Sequence, residues 1–380
     1  MFYEQQSSSN LSDNFKINHI IDLRSDTLTK PTRRMREAMH NAVVGDDVFH
    51  EDPTVKILEQ KAASLVGMEA AIFVPTGTMG NLIAIINHCD VRGSEAYCGS
   101  GCHALLHEQG GAAQVGGVNL RALQNNPDGS FDIHELACKL RKDRDHEPIS
   151  KLVLVENTIS GKIVPHSWIT KLVAFCKDHN LKLHMDGARL FHASVGSGKS
   201  AAEIVAGFDS VSFCLSKGLG APVGSMLCGG KEFVKKARRV RKVLGGGMRQ
   251  VGVLAAAGLV ALEDSIPILK EDHRRASLLA KSIKATASSI TFQGRPMFSL
   301  DLETVQANMV FVEVDASINA AKFAKRLRNV CNDDEDDKVI VKCLALNDSI
   351  VRFVLYHEIT DEQLCLAIKK IRYVMENMLH

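Results

Sequence analysis

LKLHMDGAR, residues 181–189, and SFCLSKGLGAPVGS, residues 212–225, decide the fold. Each opens on an apolar run that stops at a polar group, the first at Asp186 and the second at Ser216-Lys217-Gly218. Strands are read over Leu181–Met185 and Ser210–Leu215, with a helix over Ile169–His179 and a further strand over Lys151–Glu156 before them. Further upstream, AAIFVPTGTMGN, residues 70–81, reads as a strand, a tight turn and the start of a helix. This alternation predicts an α/β fold, a mostly parallel sheet covered by helices. Ligands of such sheets bind beyond the carboxyl ends of the strands, where Asp186 and Lys217 fall.

Toward the N-terminus, folded structure is expected to start at His19, with helices from Pro31 through Met39 and over Val55–Val66. Residues 1–17 are polar and rich in Ser and Asn, without a secretory apolar core or an arginine-rich presequence character. They read as a disordered tail on a cytoplasmic protein. After Glu263 the pattern changes to a long helix around His273–Ala287, strands near Met309–Val314 and Ile350–Tyr356, and a closing helix over Asp361–Leu379. The expected division is a tail over residues 1–18, a large domain over 19–265 and a smaller α+β domain over 266–380. The acidic run Asp333–Asp337 reads as a solvated loop.

Composition narrows the class. The 380 residues are 45% hydrophobic and 24% charged, with a net charge of +2, which favours neither nucleic acid nor an anionic membrane surface. The longest apolar run, Val251–Leu262, is shorter than the ~20 residues of a membrane helix. Ten cysteines lie scattered without CxxC pairs, as free thiols in a reducing compartment do. Cys98, Cys102 and His103 come nearest to a metal motif, but no second cysteine pair completes a tetrahedral set, so no metal is expected.

The chemistry follows from the strand ends. A lysine beyond one strand and an aspartate beyond its neighbour suit pyridoxal 5'-phosphate (PLP): the amine forms a Schiff base with the cofactor aldehyde, and the carboxylate pairs with the pyridinium nitrogen. Burial of Lys217 among Phe213, Cys214, Leu215 and Leu219 would favour the neutral amine. Gly77 and Thr78 open a helix, whose free N–H groups and positive dipole end suit a phosphate. Arg189 can clamp a carboxylate with a bidentate fork, and Arg352, in a strand among apolar residues, is satisfied the same way. His103 is a candidate to lie on the pyridine ring or to act as a base, and the basic stretch Lys235–Arg249 ends in a glycine-rich turn able to reach a phosphate across a subunit boundary.

IDLRSDTLTKPT, GDDVFHEDPTV, FVPTGTMGN, HMDGARLF, SFCLSKGLGAPVGS and LGGGMRQVGVLAAAG follow one another over residues 21–259. In that order they resemble the low-specificity L-threonine aldolases, fold-type I (aspartate aminotransferase-like) PLP enzymes, with a weaker match at VRFVLYHEIT. The resemblance implies Lys217 as the Schiff-base lysine, Asp186 as the pyridinium partner, Gly77 and Thr78 on the phosphate, and His103 stacked on the ring. It implies Ser25, Arg189 and Arg352 on the substrate carboxylate, and Lys242 and Arg249 near a neighbouring subunit's cofactor phosphate. The implied protein is a cytoplasmic homotetramer, a dimer of dimers with shared active sites. The implied reaction is retro-aldol cleavage of L-threonine or L-allo-threonine to glycine and acetaldehyde. The alternatives are a related PLP lyase acting on another β-hydroxy amino acid and a weakly catalytic PLP-binding oligomer partner. A nicotinamide dehydrogenase is disfavoured, since no strand-linked G-x-G-x-x-G is present.

Three departures from the family pattern surround the substrate side chain. Glu156-Asn157-Thr158-Ile159-Ser160-Gly161 lacks the histidine of the family's Glu-Asn-Thr-His. Phe49-His50 replaces a Tyr-Gly pair, and His107 stands where an aromatic residue usually follows the stacking histidine by four positions. The base for the substrate hydroxyl is therefore left among His103, His107, His50 and a water.

Overall fold

Seven strands make the central sheet of the computed structural model, which describes residues 19–142, 144–330 and 339–378. After an outlying strand β1 (His19–Asp22) come β2 (Ala70–Val74), β3 (Ser94–Gly99), β4 (Asn119–Leu123), β5 (Ile149–Glu156), β6 (Lys182–Asp186), β7 (Ser210–Cys214) and β8 (Ser225–Gly229). Their order across the sheet is β2-β8-β7-β6-β5-β3-β4. Neighbours are parallel from β7 through β4, and β8 alone runs opposite, between β2 and β7. The α/β architecture with a mostly parallel sheet is as expected. Strands β3, β4 and β8 were not read from sequence.

The carboxyl ends of β2, β3, β5, β6 and β7 gather at one edge. Helices on both faces fill the core; Leu58, Phe73, Tyr97, Met185 and Phe213 belong to one buried cluster. Each such side chain contributes roughly 1.5–3 kcal/mol by leaving water. A four-stranded antiparallel sheet, built mainly from Met309–Val314 and Ile350–Val354, lies in the C-terminal part with its own core of Val310, Phe323, Val341 and Phe353. The strand β1 pairs in parallel with Val339–Lys342, and Ile21 and Leu23 are buried in that same core. The first described residues thus pack with the C-terminal elements, and the chain then crosses to the large sheet's edge at Ser25–Thr29.

Local chemistry sets the boundaries. Thr32, not Pro31, caps the first long helix (Arg33–His40), its hydroxyl accepting from the Met35 N–H. The closing helix spans Asp361–Glu376, started by a reciprocal capping box of Thr360 and Gln363. The continuous helical run Gly252–Ala287 includes a stretch apolar enough to cross a membrane by length and composition, and 56% of that stretch is buried within the fold. Its apolarity is that of a core helix. The expected tail over residues 1–18 and the acidic run Asp333–Asp337 lie outside the described residues.

Candidate active site

Asp186 ends β6 and is 3% exposed. Its Oδ2 accepts from Asn81 Nδ2 at 2.7 Å and its Oδ1 from the Ala188 N–H at 3.0 Å. Parallel registry places Glu156 of β5 on one side of it and Ser212 of β7 on the other. Beyond β7 the chain turns sharply. The Gly220 N–H donates to the Lys217 carbonyl at 2.8 Å, with Gly220 at φ +79°. A Cβ at Gly218 would lie 2.3 Å from His192 Nε2, so only glycine fits directly after the lysine. The Thr29 hydroxyl donates to the Lys217 carbonyl at 3.2 Å, pinning this turn to the segment that follows β1. Lys217 itself is half-buried and lies among the charges that favour the ionised forms of Asp26 and Glu156.

The helix Gly77–His88 starts at the same edge, its Thr76 cap accepting from the Met79 N–H. A Cβ on Gly77 would stand 2.9 Å from Cys214 Sγ, so the helix abuts the end of β7 only because residue 77 is glycine. The Gly77 and Thr78 amides precede the first intrahelical bond and present donors and a positive dipole end at the end of β7, three residues before Lys217. That is a fitting cradle for a phosphate.

Three acids and a histidine complete the floor. The His103 N–H donates to Glu156 Oε2 at 2.7 Å, and His103 Nδ1 lies 3.0 Å from Glu108 Oε1. Asn81 Nδ2 also donates to Glu108, at 2.9 Å. The ligand atoms of His103, Glu108 and Asp186 lie within 4.8 Å of one another. In this cluster Asn81 already serves both carboxylates. The hydrogen bond to Glu108 raises the pKa of His103, against burial. Burial first, then the charge of Asp186, push Glu156 up to about 7.

The arginines divide. Arg189 forks onto buried Asp26, Nε to Oδ2 at 2.8 Å and Nη2 to Oδ1 at 2.6 Å. Burial alone would raise Asp26, but Arg189 overrides it and holds the carboxyl well below the usual range. Sequence reading gave Arg189 a free fork toward a substrate; in the structure Asp26 occupies it. Arg352 is different. Its Nη2 donates to the Arg24 carbonyl at 3.0 Å, but its Nε is buried with no hydrogen-bond partner. It lies near Arg189, and burial and that neighbouring charge lower its pKa. Ser25 is half-buried next to Asp26, its hydroxyl accepting from Thr27 and free to donate. The His107 ring lies 5.4 Å from that of His103. Lys242 and Arg249 are both exposed, Arg249 donating to Asp46 at 3.1 Å. The turn between them packs on Met79, in the first turn of the Gly77–His88 helix.

Sequence reading missed Asn81, Glu108 and Asp26 as members of the site. Asn81 carried a signal, an amide on the apolar side of a helix. Asp26 and Glu108 carried none beyond their nearness to Ser25 and His107.

Behind Asp26 lies Asp272, 0% exposed, with neither carboxyl oxygen hydrogen-bonded. Burial first and the charge of Asp26 second push it up to about 7. An unfolded aspartate titrates near ~3.9. Between those values the folded chain holds the extra proton, so this contribution to stability is full below ~4 and is lost as pH rises through 7. Asp272→Asn is expected to stabilise the protein by about 2–3 kcal/mol more at pH 8 than at pH 5, as read by urea unfolding. An equal change at both values would show that the folded carboxyl is ionised throughout.

Residues 22–316 match the family model described as beta-eliminating lyase. The chain is 42% identical over 347 residues to low-specificity L-threonine aldolase 1 of Arabidopsis thaliana, covering 90% of this chain and 92% of that one. It is 41% identical over 346 residues to the low specificity L-threonine aldolase of Escherichia coli K12, covering 91% and 96%. A solved threonine aldolase from Leishmania major superposes with a TM-score of 0.74 at 20% identity, over 93% of this chain and 99% of that one, which is a likeness of fold.

Proposed function

Because the chain belongs to the beta-eliminating lyase family and, within it, to the low-specificity L-threonine aldolases, we propose that it cleaves L-threonine and L-allo-threonine to glycine and acetaldehyde. It is a carbon–carbon lyase of the fold-type I class, and its cofactor is pyridoxal phosphate. One observation carries the reading: the ends of β6 and β7 bring Asp186 and Lys217 to one edge, with Arg352, its Nε unpartnered, on the Asp26–Arg189 side of it.

When bound, pyridoxal phosphate takes up the electron pair released as a bond to Cα breaks. The chain's own residues do the rest. Gly77 and Thr78 would hold the phosphate, Asp186 would accept from the ring nitrogen, and His103 would cover a ring face. Lys217 Nζ is the amine that would hold the cofactor. Arg352 and Ser25 grip the substrate carboxylate, with Arg189 behind them, held by Asp26. Gripping that group at a fixed point would fix the orientation of the substrate's Cα–Cβ bond, and orientation becomes rate. The base for the β-hydroxyl proton is His107. Its partial burial first, then the charges of His103 and Arg352, keep its imidazole neutral and able to accept.

We read the assembly as a cytoplasmic homotetramer. The nine described cysteines are free, which suits a reducing compartment. Val43, Phe49 and Val243 are 69%, 68% and 80% exposed, close to Lys242 and Arg249. A second copy covering this patch would bring those cations toward a neighbour's phosphate.

The deciding assay couples acetaldehyde release to alcohol dehydrogenase. L-threonine or L-allo-threonine should give acetaldehyde and glycine in equal amounts, and His107→Phe should lower kcat by about 10²-fold. Ammonia with a keto acid would replace the aldolase by an eliminating lyase. Cleavage of phenylserine alone would move the substrate to a larger β-hydroxy amino acid.

A further inference from the structure

A row of buried polar side chains runs away from Asp186 under the helix Gly77–His88. His184 and Asp186 are two apart in β6, and registry pairs them with Ser210 and Ser212 of β7. Period-two alternation puts all four on one face of the sheet. Asn81 and His88, two turns apart on the helix, lie over that face. Asn81, His184, Ser210 and Ser212 are each at most 1% exposed. Polar groups buried this deeply are costly unless every one is hydrogen-bonded.

The bonds join into one line, and its direction is forced. Asn81 Nδ2 faces two carboxylates, Asp186 and Glu108, so it must be the nitrogen. Asn81 Oδ1 then accepts from Ser212 Oγ at 2.6 Å and from His184 Nε2 at 3.2 Å. His184 therefore carries its proton on Nε2. Burial first, then His88, keep that imidazole neutral, so Nδ1 is an acceptor. The Ser210 hydroxyl donates to it at 2.8 Å and accepts in turn from His88 Nε2 at 2.7 Å. His88 is fixed by stacking on Phe233, with ring centroids 4.7 Å apart. Every donor in the line points toward Asp186. A flipped Asn81 amide would set its oxygen against the Asp186 and Glu108 carboxylates, and that repulsion excludes it.

We propose that His184, Ser210 and His88 are positioning residues that lock the Asn81 amide in the orientation donating to Asp186, and so aim that carboxylate at the pyridine nitrogen of the cofactor. The inference rests on the pyridoxal phosphate reading and deepens it. It makes three residues up to two helical turns away part of the ring-nitrogen site.

The test titrates cofactor-free full-length protein with pyridoxal phosphate and with its analogue bearing CH in place of the ring nitrogen. In His184→Leu, affinity for pyridoxal phosphate should fall about tenfold, the scale of one hydrogen bond to a charged group, while affinity for the analogue holds. His184→Gln, which keeps an N–H for Asn81 Oδ1, should restore most of the loss. Equal loss on both ligands would reduce His184 to a packing residue and overturn the proposal. A second measurement needs no variant and no cofactor: imidazole ¹⁵N shifts of the wild type should show the Nε2–H tautomer at His184 and at His88. The Nδ1–H tautomer at His184 would overturn the line's direction. Failure of the wild type to bind pyridoxal phosphate would instead remove the cofactor reading and the ring-nitrogen role with it, leaving the tautomers to decide the direction alone.

Discussion

Lys217→Ala is expected to abolish the visible absorbance of the bound cofactor and to lower kcat for L-threonine by on the order of 10⁴-fold or more, the scale seen when a covalent catalyst is removed. The fold should survive. The turn carrying Lys217 is held through its backbone, by Gly220 and by the Thr29 hydroxyl, and neither contact uses the lysine side chain. A half-buried side chain is removed without breaking an ion pair, because the acids nearby have other partners: Asp186 has Asn81, Asp26 has Arg189, and Glu156 has the His103 N–H. Loss of function with an unchanged melting temperature would therefore be chemistry and not misfolding. Pyridoxal phosphate should still bind through Gly77, Thr78 and Asp186, now reversibly. Borohydride reduction of the wild type should fix the cofactor on the peptide containing Lys217, and reduction of the variant should fix none. A visible band that persists in Lys217→Ala would assign the attachment to another amine.

The strand ends were legible because apolar runs stop at the residues that do the chemistry. HMD and FCLSK place Asp186 and Lys217 at the carboxyl edge without any three-dimensional input. Partners distant in sequence were not legible. Arg189 read as a free fork because Asp26 lies 163 positions away. Asn81 is 105 positions from Asp186, and its four hydrogen-bond partners lie on two strands and a loop. The β3 strand SEAYCG carries an acid, which reads poorly as a buried strand. Glu95 is in fact 0% exposed and neutralised by Arg121 and Arg141, a pairing that only the fold creates. The strand β1 was assigned to the large domain by position, whereas its partner Val339–Lys342 lies more than 300 residues on. The polar line under Asp186 did leave a trace: His184, Ser210 and Ser212 break otherwise apolar strands at alternate positions, the pattern of one shared face.

Arg352→Leu is expected to raise KM for L-threonine by about 10²-fold and to lower kcat/KM by about 10²–10³-fold, with cofactor absorbance unchanged. The argument is electrostatic. A half-buried guanidinium whose buried Nε has no hydrogen-bond partner, beside a second arginine, is a poor arrangement for a resting protein. Arg189 has its counter-ion in Asp26, and the Arg24 carbonyl gives Arg352 one neutral acceptor. What remains unmet is a negative charge of the right size, which an amino-acid carboxylate supplies. The same logic fixes the sign of the stability change. Removing a half-buried charge that has no carboxylate bonded to it should leave the cofactor-loaded protein as stable as before or about 1 kcal/mol more so, while a structural arginine would cost about 3–5 kcal/mol. Arg352→Lys should recover little, since an ammonium lacks the planar fork. The decisive pattern is divergence: substrate affinity lost, melting temperature held or raised. A variant that keeps its KM, or that loses several kcal/mol of stability along with its activity, would make Arg352 a structural cation and move the carboxylate site elsewhere.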